Sequence, residues 1–261
     1  MKSFLQYLMM TLTVATATAI GACGNGKGAA GASGASGVVG DDTFSTPGGK
    51  TVVFNLFKHA SLEIQYDSLS IQVDPVVALA PETNYAAMRK ADIILVTHEH
   101  FDHFDTTAIS ALTDSNTVLI TNAAVRAKLK RGTALSNGGR LTLRDDVTLE
   151  AVPAYNTTPS HQQFHPKGRD NGYVLTLDGF RIYIAGDTED IPEMSQLLNI
   201  DVAFLPCNQP YTMTPKQLAH AAMLFKPRYL YPYHYNDTPV EQVVDLLKEE
   251  KGIEVRIRNM K

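Results

Sequence analysis

The sequence has few cysteines, no excess of positive charge and no serine-nucleophile motif. It contains 2 cysteines in 261 residues, and 23 Lys and Arg residues against 27 Asp and Glu residues give a net charge of −4. This balance argues against a wide nucleic-acid-binding face, which needs a basic excess. The Gly-x-Ser-x-Gly pattern, which places a serine nucleophile on a strand-to-helix turn, does not occur in the chain.

The first residues predict a secretory leader. Lys2 precedes an apolar stretch, and Ile20-Gly-Ala-Cys23 resembles a bacterial lipobox, with small residues just before a cysteine. We therefore expect residues 1–22 to be a lipoprotein signal peptide that is removed before an acylated Cys23. The alternatives are an ordinary signal peptide cut near Ala22 and a plain N-terminal membrane anchor.

A flexible tether is expected to follow the leader. Residues 23–40 are rich in Gly, Ala and Ser and cannot form a core. They would tether a domain of residues 41–261 to the bacterial cell envelope, on the periplasmic side or at the surface. Acylation of Cys23 leaves Cys207 without a partner, so no disulfide framework is expected. Cys207 follows an apolar strand and is predicted to be a buried structural thiol.

A cluster of residues of the types that bind metal ions follows the segment Ile94-Leu-Val-Thr97. The apolar and β-branched residues of this segment predict a strand. The cluster consists of His98, His100, Asp102 and His103. Imidazole and carboxylate groups are ligands of Zn²⁺ and similar ions, and four of them in six residues exceed one tetrahedral site once distant ligands are added. The pattern predicts two metal ions, followed by a helix with Asp105 as its N-cap. A solvated His-rich turn or one adventitious site is the alternative.

The motif His98-Glu-His-Phe-Asp-His103 resembles the signature of the metallo-β-lactamase superfamily, and the resemblance runs from about Val52 to the C-terminus. It implies an α/β fold, a four-layer αββα sandwich, with a two-metal hydrolytic site along one edge. The motifs Ala185-Gly-Asp-Thr188 and Tyr231-Pro-Tyr-His234 look most like the branch that holds ascorbate-6-phosphate lactonase and N-acylphosphatidylethanolamine phospholipase D.

The hydrophobic pattern predicts strands and helices around these motifs. The strands are expected at 51–57, 62–66, 69–73, 117–120, 141–143, 147–152, 172–177, 181–185, 202–206, 228–231 and 254–258. Helices are expected at 106–112, 123–130, 215–225 and 240–249. Asp74 ends the third strand, and the family resemblance favours a carboxylate that orients a ligand imidazole. A turn initiated by Asp74-Pro75 is the alternative.

The third histidine of the first metal site departs from the family pattern. A histidine commonly follows the strand that ends at Pro153-Ala-Tyr-Asn156, but this chain has Asn156 there. His161 and His165 come next, in a loop without core periodicity. We choose His165 as the ligand and keep His161, Asn156 or water as alternatives.

The resemblance implies the complete ligand set. One site contains His98, His100 and His165; the other contains Asp102, His103 and His234. Asp187 bridges the two, and Asp102 is also expected to orient the attacking hydroxide as a catalytic residue. The cofactors are expected to be two divalent metal ions. Zinc is the expected metal, and iron and manganese are the alternatives that these ligands also suit.

Three further residues are candidate substrate contacts. His59 lies at a turn near the expected metal edge, and Tyr211 lies in the polar and aromatic loop Asn208–Met213. Lys167, together with Arg169, flanks the loop of His165 and could hold an anionic group. Turn capping for His59 and loop solvation for the two cations are the alternatives.

Two bound divalent ions lower the pKa of a shared water toward about 7. The sequence therefore predicts a metal-dependent hydrolase that cleaves an ester, lactone or related small-molecule bond with this hydroxide. A phosphodiesterase, acting on lipid head groups, is the first alternative and is suggested by the tether. A non-catalytic metal-binding surface lipoprotein is the second. The expected partners are a small-molecule substrate and, through the anchor alone, the membrane; no nucleic acid is expected.

Overall fold

A computed structural model describes residues 42–261. The predicted signal peptide 1–22, the acylation of Cys23 and the tether 23–40 lie outside the described residues. Within the described part, no helix has the length and apolar character needed to cross a membrane.

The first half of the domain forms a seven-stranded sheet whose spatial order follows the chain. Strands β1 to β4 are antiparallel to their neighbours, whereas β4 to β7 run parallel. Its strands are β1 Thr43–Ser45, β2 Thr51–Lys58, β3 Ser61–Tyr66, β4 Leu69–Val73, β5 Ile93–Val96, β6 Val118–Thr121 and β7 Thr133–Ala134.

The second half builds a sheet of the same plan. Strands β8 to β11 are antiparallel and β11 to β14 are parallel, again in chain order across the sheet. Its strands are β8 Arg140–Arg144, β9 Val147–Ala154, β10 Asp170–Leu177, β11 Phe180–Ile184, β12 Val202–Pro206, β13 Tyr229–Tyr233 and β14 Glu254–Val255. The two halves share one topology, as expected for a pseudo-duplicated fold.

Four α-helices connect the parallel strands: α1 Thr106–Leu112, α2 Ala123–Leu129, α3 Pro215–Phe225 and α4 Glu241–Leu247. Short 3₁₀ helices span Tyr85–Ala87 and Pro192–Gln196. The Asp105 carboxylate accepts hydrogen bonds from the first-turn amides of α1, as predicted for its N-cap. Thr214 and Gln217 form a capping box on α3, which fixes the start of that helix.

The two sheets pack face to face, with helices outside. Phe54 of β2 meets Phe204 of β12 edge-on, with ring centroids 5.3 Å apart. On the outer face of the first sheet, Ile94 of β5 packs in one cluster with Ile109 of α1. Phe225 of α3 lies edge-on to Tyr183 of the second sheet at 5.5 Å. Fully burying one such side chain contributes roughly 1.5–3 kcal/mol. The αββα sandwich is therefore confirmed.

The edges of the sheets differ from the prediction. Strand β1 and strand β7 were not predicted, because runs of three and two residues carry no readable periodicity. The last strand ends at Val255 rather than Arg258. Only Glu254 and Val255 pair with β13. Beyond them the chain makes other contacts, among them the ion pair of the Arg258 guanidinium with Asp42 at 2.9 Å.

Cys207 lies buried directly after β12. Burial raises the pKa of its thiol to about 12, so the group stays protonated. The described residues therefore place Cys207 in the core, in agreement with the predicted structural role.

Candidate metal centre

The predicted metal-binding residues, and Asp74, which was predicted to orient one of them, meet where strands of both sheets end. Asp74 follows β4 directly, His98 follows β5, and His234 follows β13. Asp187 comes three residues after β11, behind Gly186. Gly186 has a φ of +64°, and a Cβ on it would lie 2.7 Å from the carbonyl oxygen of Asn171. Only glycine fits there without strain, and it lets the chain deliver Asp187 against the histidines.

One group of facing side chains contains His98, His100, His165 and Asp187, with ligand atoms within 4.8 Å of one another. His165 Nε2 lies 3.2 Å from His100 Nδ1 and 3.3 Å from Asp187 Oδ2. Two ligands of one tetrahedral zinc ion, each about 2.0–2.1 Å from it, are about 3.3 Å apart. The spacing of these atoms therefore fits a shared ion.

A second group contains His59, Asp102, His103 and His234, also within 4.8 Å. His234 Nε2 is 3.4 Å from Asp102 Oδ2. The Asp187 carboxylate lies between the groups: its Oδ1 is 3.2 Å from His103 Nε2, and its Oδ2 is 3.4 Å from His234 Nε2. The seven predicted ligands are thus brought together, and Asp187 faces both groups.

The donor atoms themselves support metal binding. Among residues 42–261, the buried polar atoms without a hydrogen-bond partner include His98 Nε2, His103 Nε2, Asp187 Oδ1 and both ring nitrogens of His234. An unsatisfied buried polar group costs about 1–3 kcal/mol. Bound cations would explain why so many unpartnered atoms lie together, because zinc-like ions bind imidazole nitrogen and carboxylate oxygen.

Asp74 orients two of the histidines. Its carboxylate accepts hydrogen bonds from the Thr97 backbone amide at 2.8 Å and the Thr97 hydroxyl at 2.7 Å. It also lies 2.8 Å from His103 Nδ1, which must donate to it. The Thr97 hydroxyl in turn lies 3.0 Å from His98 Nδ1. Both imidazoles are therefore held with Nδ1 protonated and Nε2 free to face the centre.

We expect Asp74→Asn to weaken metal binding by about 10–100-fold, because the amide would present a donor to His103 Nδ1 and disturb its tautomer. Competition with a metal-chelating dye would measure the change. Asp67→Asn, at an exposed turn between β3 and β4, is the matched control. Equal affinities in the two variants would contradict this role for Asp74.

Asn156 occupies the place of the missing histidine and supports His165. Its Oδ1 lies 2.7 Å from His165 Nδ1, and its Nδ2 donates to the Tyr211 carbonyl at 2.8 Å. That carbonyl is also 3.1 Å from His165 Nδ1. His165 Nε2 is therefore left to face His100 and Asp187. His161 lies elsewhere, with Nδ1 3.0 Å from Glu189.

Glu189 is a residue whose role the sequence analysis missed. Its buried carboxylate accepts hydrogen bonds from the Thr157 and Thr158 amides at 2.8 and 2.7 Å, and from the Thr157 hydroxyl at 2.7 Å. Burial raises the pKa of this carboxyl, but these hydrogen bonds prevail and lower it to about 2. Glu189 thus fixes the start of the loop that carries His165. An acidic residue two positions after Asp187 was the only sequence signal.

The ionisation of three ligands suits cations. At His103 burial is outweighed by Asp187 and Asp74, which raise its pKa well above the ordinary value, so this ring must release a proton when it binds a cation. Burial lowers the pKa of His98 well below its ordinary value and also lowers that of His100, so both rings are neutral at pH 7. Burial works against a charge on Asp102, but the adjacent His234 ring and the hydrogen bond with His59 prevail and hold its pKa below the usual range. Neutral imidazoles and ionised carboxylates are the forms that bind metal.

The three predicted substrate contacts fall in different surroundings. His59 is buried, with Nε2 3.3 Å from Asp102 Oδ2 and its ring centroid 3.7 Å from that of His234. This position favours a role within the second group over contact with substrate. Lys167 bonds to Glu193 at 2.7 Å. Tyr211 keeps an exposed ring beside the loop of His165. Substrate contact by these residues stays a prediction.

Comparison with known proteins gives one consistent family. The model of a protein family described as "Beta-lactamase superfamily domain" matches residues 54–234. A UPF0173 metal-dependent hydrolase of Thermococcus onnurineus is 37% identical over 195 residues, which is 69% of this chain and 83% of that protein. A crystal structure from Parabacteroides distasonis, described as a candidate metal-dependent hydrolase, is 54% identical, with a TM-score of 0.81 over 84% of this chain and 98% of that one.

A more distant structure shares the fold. A metallo hydrolase from Ignicoccus hospitalis is 24% identical and superimposes with a TM-score of 0.64 over 79% of this chain and 94% of that one. The family match, the two sheets of equal topology and the histidine-rich edge agree with the resemblance of the motif at His98–His103. The chain belongs to the metallo-β-lactamase superfamily.

Proposed function

We propose that this protein is a metal-dependent hydrolase with a binuclear centre that cleaves an ester, lactone or related small-molecule bond. The observation that carries the proposal is the pair of facing ligand groups joined by the Asp187 carboxylate. Relatives described as metal-dependent hydrolases, at 37% and 54% identity, support the same reaction class.

The proposed roles follow the geometry. His98, His100 and His165 would hold one cation, and Asp102, His103 and His234 would hold the other. The Asp187 carboxylate faces both sets and would be shared between them. When bound, such a pair of cations supplies hydroxide at neutral pH and polarises the oxygen that gains charge during hydrolysis. The fixed Nδ1 hydrogen bonds of His98, His103 and His165 keep their Nε2 atoms directed at the centre.

Asp102 is the candidate catalytic residue. Its side chain is 18% exposed, whereas those of Asp187 and His234 are at most 3% exposed, so Asp102 borders solvent on the open side of the centre. Its low pKa keeps the carboxylate ionised, and an ionised oxygen can accept a hydrogen bond from an attacking water and orient it. His59, hydrogen-bonded to Asp102, holds that carboxylate in place.

Zinc is the metal that we propose first. Imidazole and carboxylate donors suit zinc, and the same set permits iron and manganese. The absence of a cysteine from both groups is consistent with any of the three, because a thiolate would favour a softer ion.

A chromogenic substrate panel tests the function. We expect the metal-loaded chain to hydrolyse an ester or lactone, to lose that activity on chelation and to regain it when metal is restored. Hydrolysis of the phosphodiester alone would favour the alternative phosphodiesterase, acting on lipid head groups. Failure to hydrolyse lactone, ester, phosphodiester and cephalosporin at full metal content would contradict the hydrolase and favour a metal-binding surface lipoprotein.

We also propose that Cys23 anchors the protein to the bacterial cell envelope, on the basis of Ile20-Gly-Ala-Cys23 and the Gly-rich segment after it. Replacing Cys23 by serine should move the protein from the membrane fraction to the soluble fraction. Cys207→Ser, which changes the other cysteine, is the matched control. Membrane retention of Cys23→Ser at the wild-type level would contradict lipid anchoring.

A further inference from the structure

The exposure of the ligands shows where a substrate can enter. His98, His103, His165, Asp187 and His234 are each at most 2% exposed. His100 and Asp102 are only half-buried. Solvent therefore reaches the centre beside these two residues, which are separated in the chain by one residue.

Phe101 lies between His100 and Asp102 and is 77% exposed. Among residues 42–261 it is the most exposed large apolar side chain. An isolated exposed apolar residue is ordinary, but this one is bonded in the chain to both of the ligands that solvent reaches. Its ring adds nothing to the core, so its position at the opening calls for a different explanation.

A second aromatic side chain borders the same opening. Tyr211 is 45% exposed, and its ring meets that of Phe164 edge-on at 4.9 Å. The Phe164 carbonyl accepts a hydrogen bond from the Arg169 guanidinium, whose Nη2 lies 3.4 Å from His100 Nε2. These contacts connect Tyr211 to the His100 side of the centre. Two exposed aromatic rings thus flank the approach to the ligands.

The cations of the neighbouring loop are already paired. The Arg169 guanidinium bonds to both oxygens of Asp170 at 2.7 and 2.8 Å and lies 3.4 Å from Glu99. Lys167 donates to Glu193 at 2.7 Å. The sequence analysis offered these two residues as holders of an anionic group. Their carboxylate partners neutralise them, which reduces their attraction for a phosphate.

We propose that the opening selects a neutral substrate with an apolar acyl or aromatic group, which lies on the rings of Phe101 and Tyr211 while its carbonyl faces Asp102 and His100. This inference rests on the proposed hydrolase function and names its substrate class. Apolar contact with the two rings gives binding free energy that grows with the apolar area covered.

The test uses p-nitrophenyl acetate, butyrate and hexanoate with the zinc-loaded full-length chain. For the wild type we expect kcat/KM to rise about threefold for each added methylene, near the gain for burying that group. In the double variant Phe101→Ala with Tyr211→Ala, the gain in kcat/KM per methylene should fall to less than about half of its wild-type value. The zinc content should be unchanged. The Tyr211 carbonyl that supports His165 is retained in this variant. Leu198→Ala, at another side chain that is 67% exposed, is the matched control and should keep the full rise.

A binding measurement separates this inference from the hydrolase proposal. By calorimetry, the neutral amide hexanamide should bind the zinc-loaded wild type about 80-fold more tightly than acetamide, which is threefold for each of four methylenes, and the double variant should lose most of that difference. Loss of the difference without any ester hydrolysis would uphold the aromatic opening and overturn the hydrolase. If kcat/KM did not rise with acyl chain length in the wild type, or rose equally in the double variant, the proposed role of the two aromatic rings would be wrong even in an active enzyme.

Discussion

His165→Ala is expected to bind one metal ion fewer than the wild type at equal free zinc. His165 Nε2 faces His100 and Asp187 at 3.2 and 3.3 Å, so its removal deletes a strong nitrogen donor from the first group. The loss should exceed the roughly 10–100-fold change that is usual when only a ligand's hydrogen-bond partner is removed. Elemental analysis after dialysis against buffered zinc would measure it.

Two variants of the same loop serve as controls. His161→Ala should keep both metal ions, because its imidazole contacts Glu189 and belongs to neither group. Asn156→Ala should behave as the loss of a supporting hydrogen bond, with weaker binding of one ion. Wild-type affinity at both sites in His165→Ala, with only KM changed, would make His165 a substrate contact instead of a ligand.

Asp187→Ala is expected to remove measurable hydrolysis and to weaken both metal sites together. Its two oxygens face His103 and His234 on one side and His165 on the other, so one substitution takes a donor from each group. The variant would also lose the negative charge of this carboxylate, which offsets part of the charge of the two bound cations. Parallel measurement of metal content and ester hydrolysis would show whether both losses occur.

Asp190→Ala is the matched control for Asp187→Ala. Asp190 lies three residues further on and pairs with the exposed His220 at 2.7 Å, away from the two groups. It should retain both ions. If Asp187→Ala lost only one ion and kept the other at wild-type affinity, the carboxylate would be a ligand of a single site and the bridging role would be wrong.

The fold was largely predictable because the sequence carries strong local signals for it. Strand β12 and helix α3 begin and end as predicted, since an apolar run and a Thr-Pro cap leave little choice of boundary. Strands β1 and β7, with three and two residues, could not be predicted. Strand β1 exists only through its pairing with β2, a contact between neighbouring chain segments that no periodicity in three residues reveals.

The site was predictable in composition but less so in its supporting contacts. The His98–His103 motif and Asp187 indicated metal ligands by residue type, and the structure brings them together. The place of His59 beside Asp102 could not be read from the sequence, because a left-handed turn with a φ of +55° directs its side chain inward. The support of His165 by Asn156 likewise depends on a loop that folds back over nine residues.

A zinc titration of the metal-free chain tests the central claim most directly. Bound zinc and hydrolysis of the preferred ester would be measured at each addition. The binuclear centre predicts that binding saturates at two equivalents and that full activity appears only with the second. Saturation at one equivalent, with activity already complete there, would contradict a two-metal hydrolase.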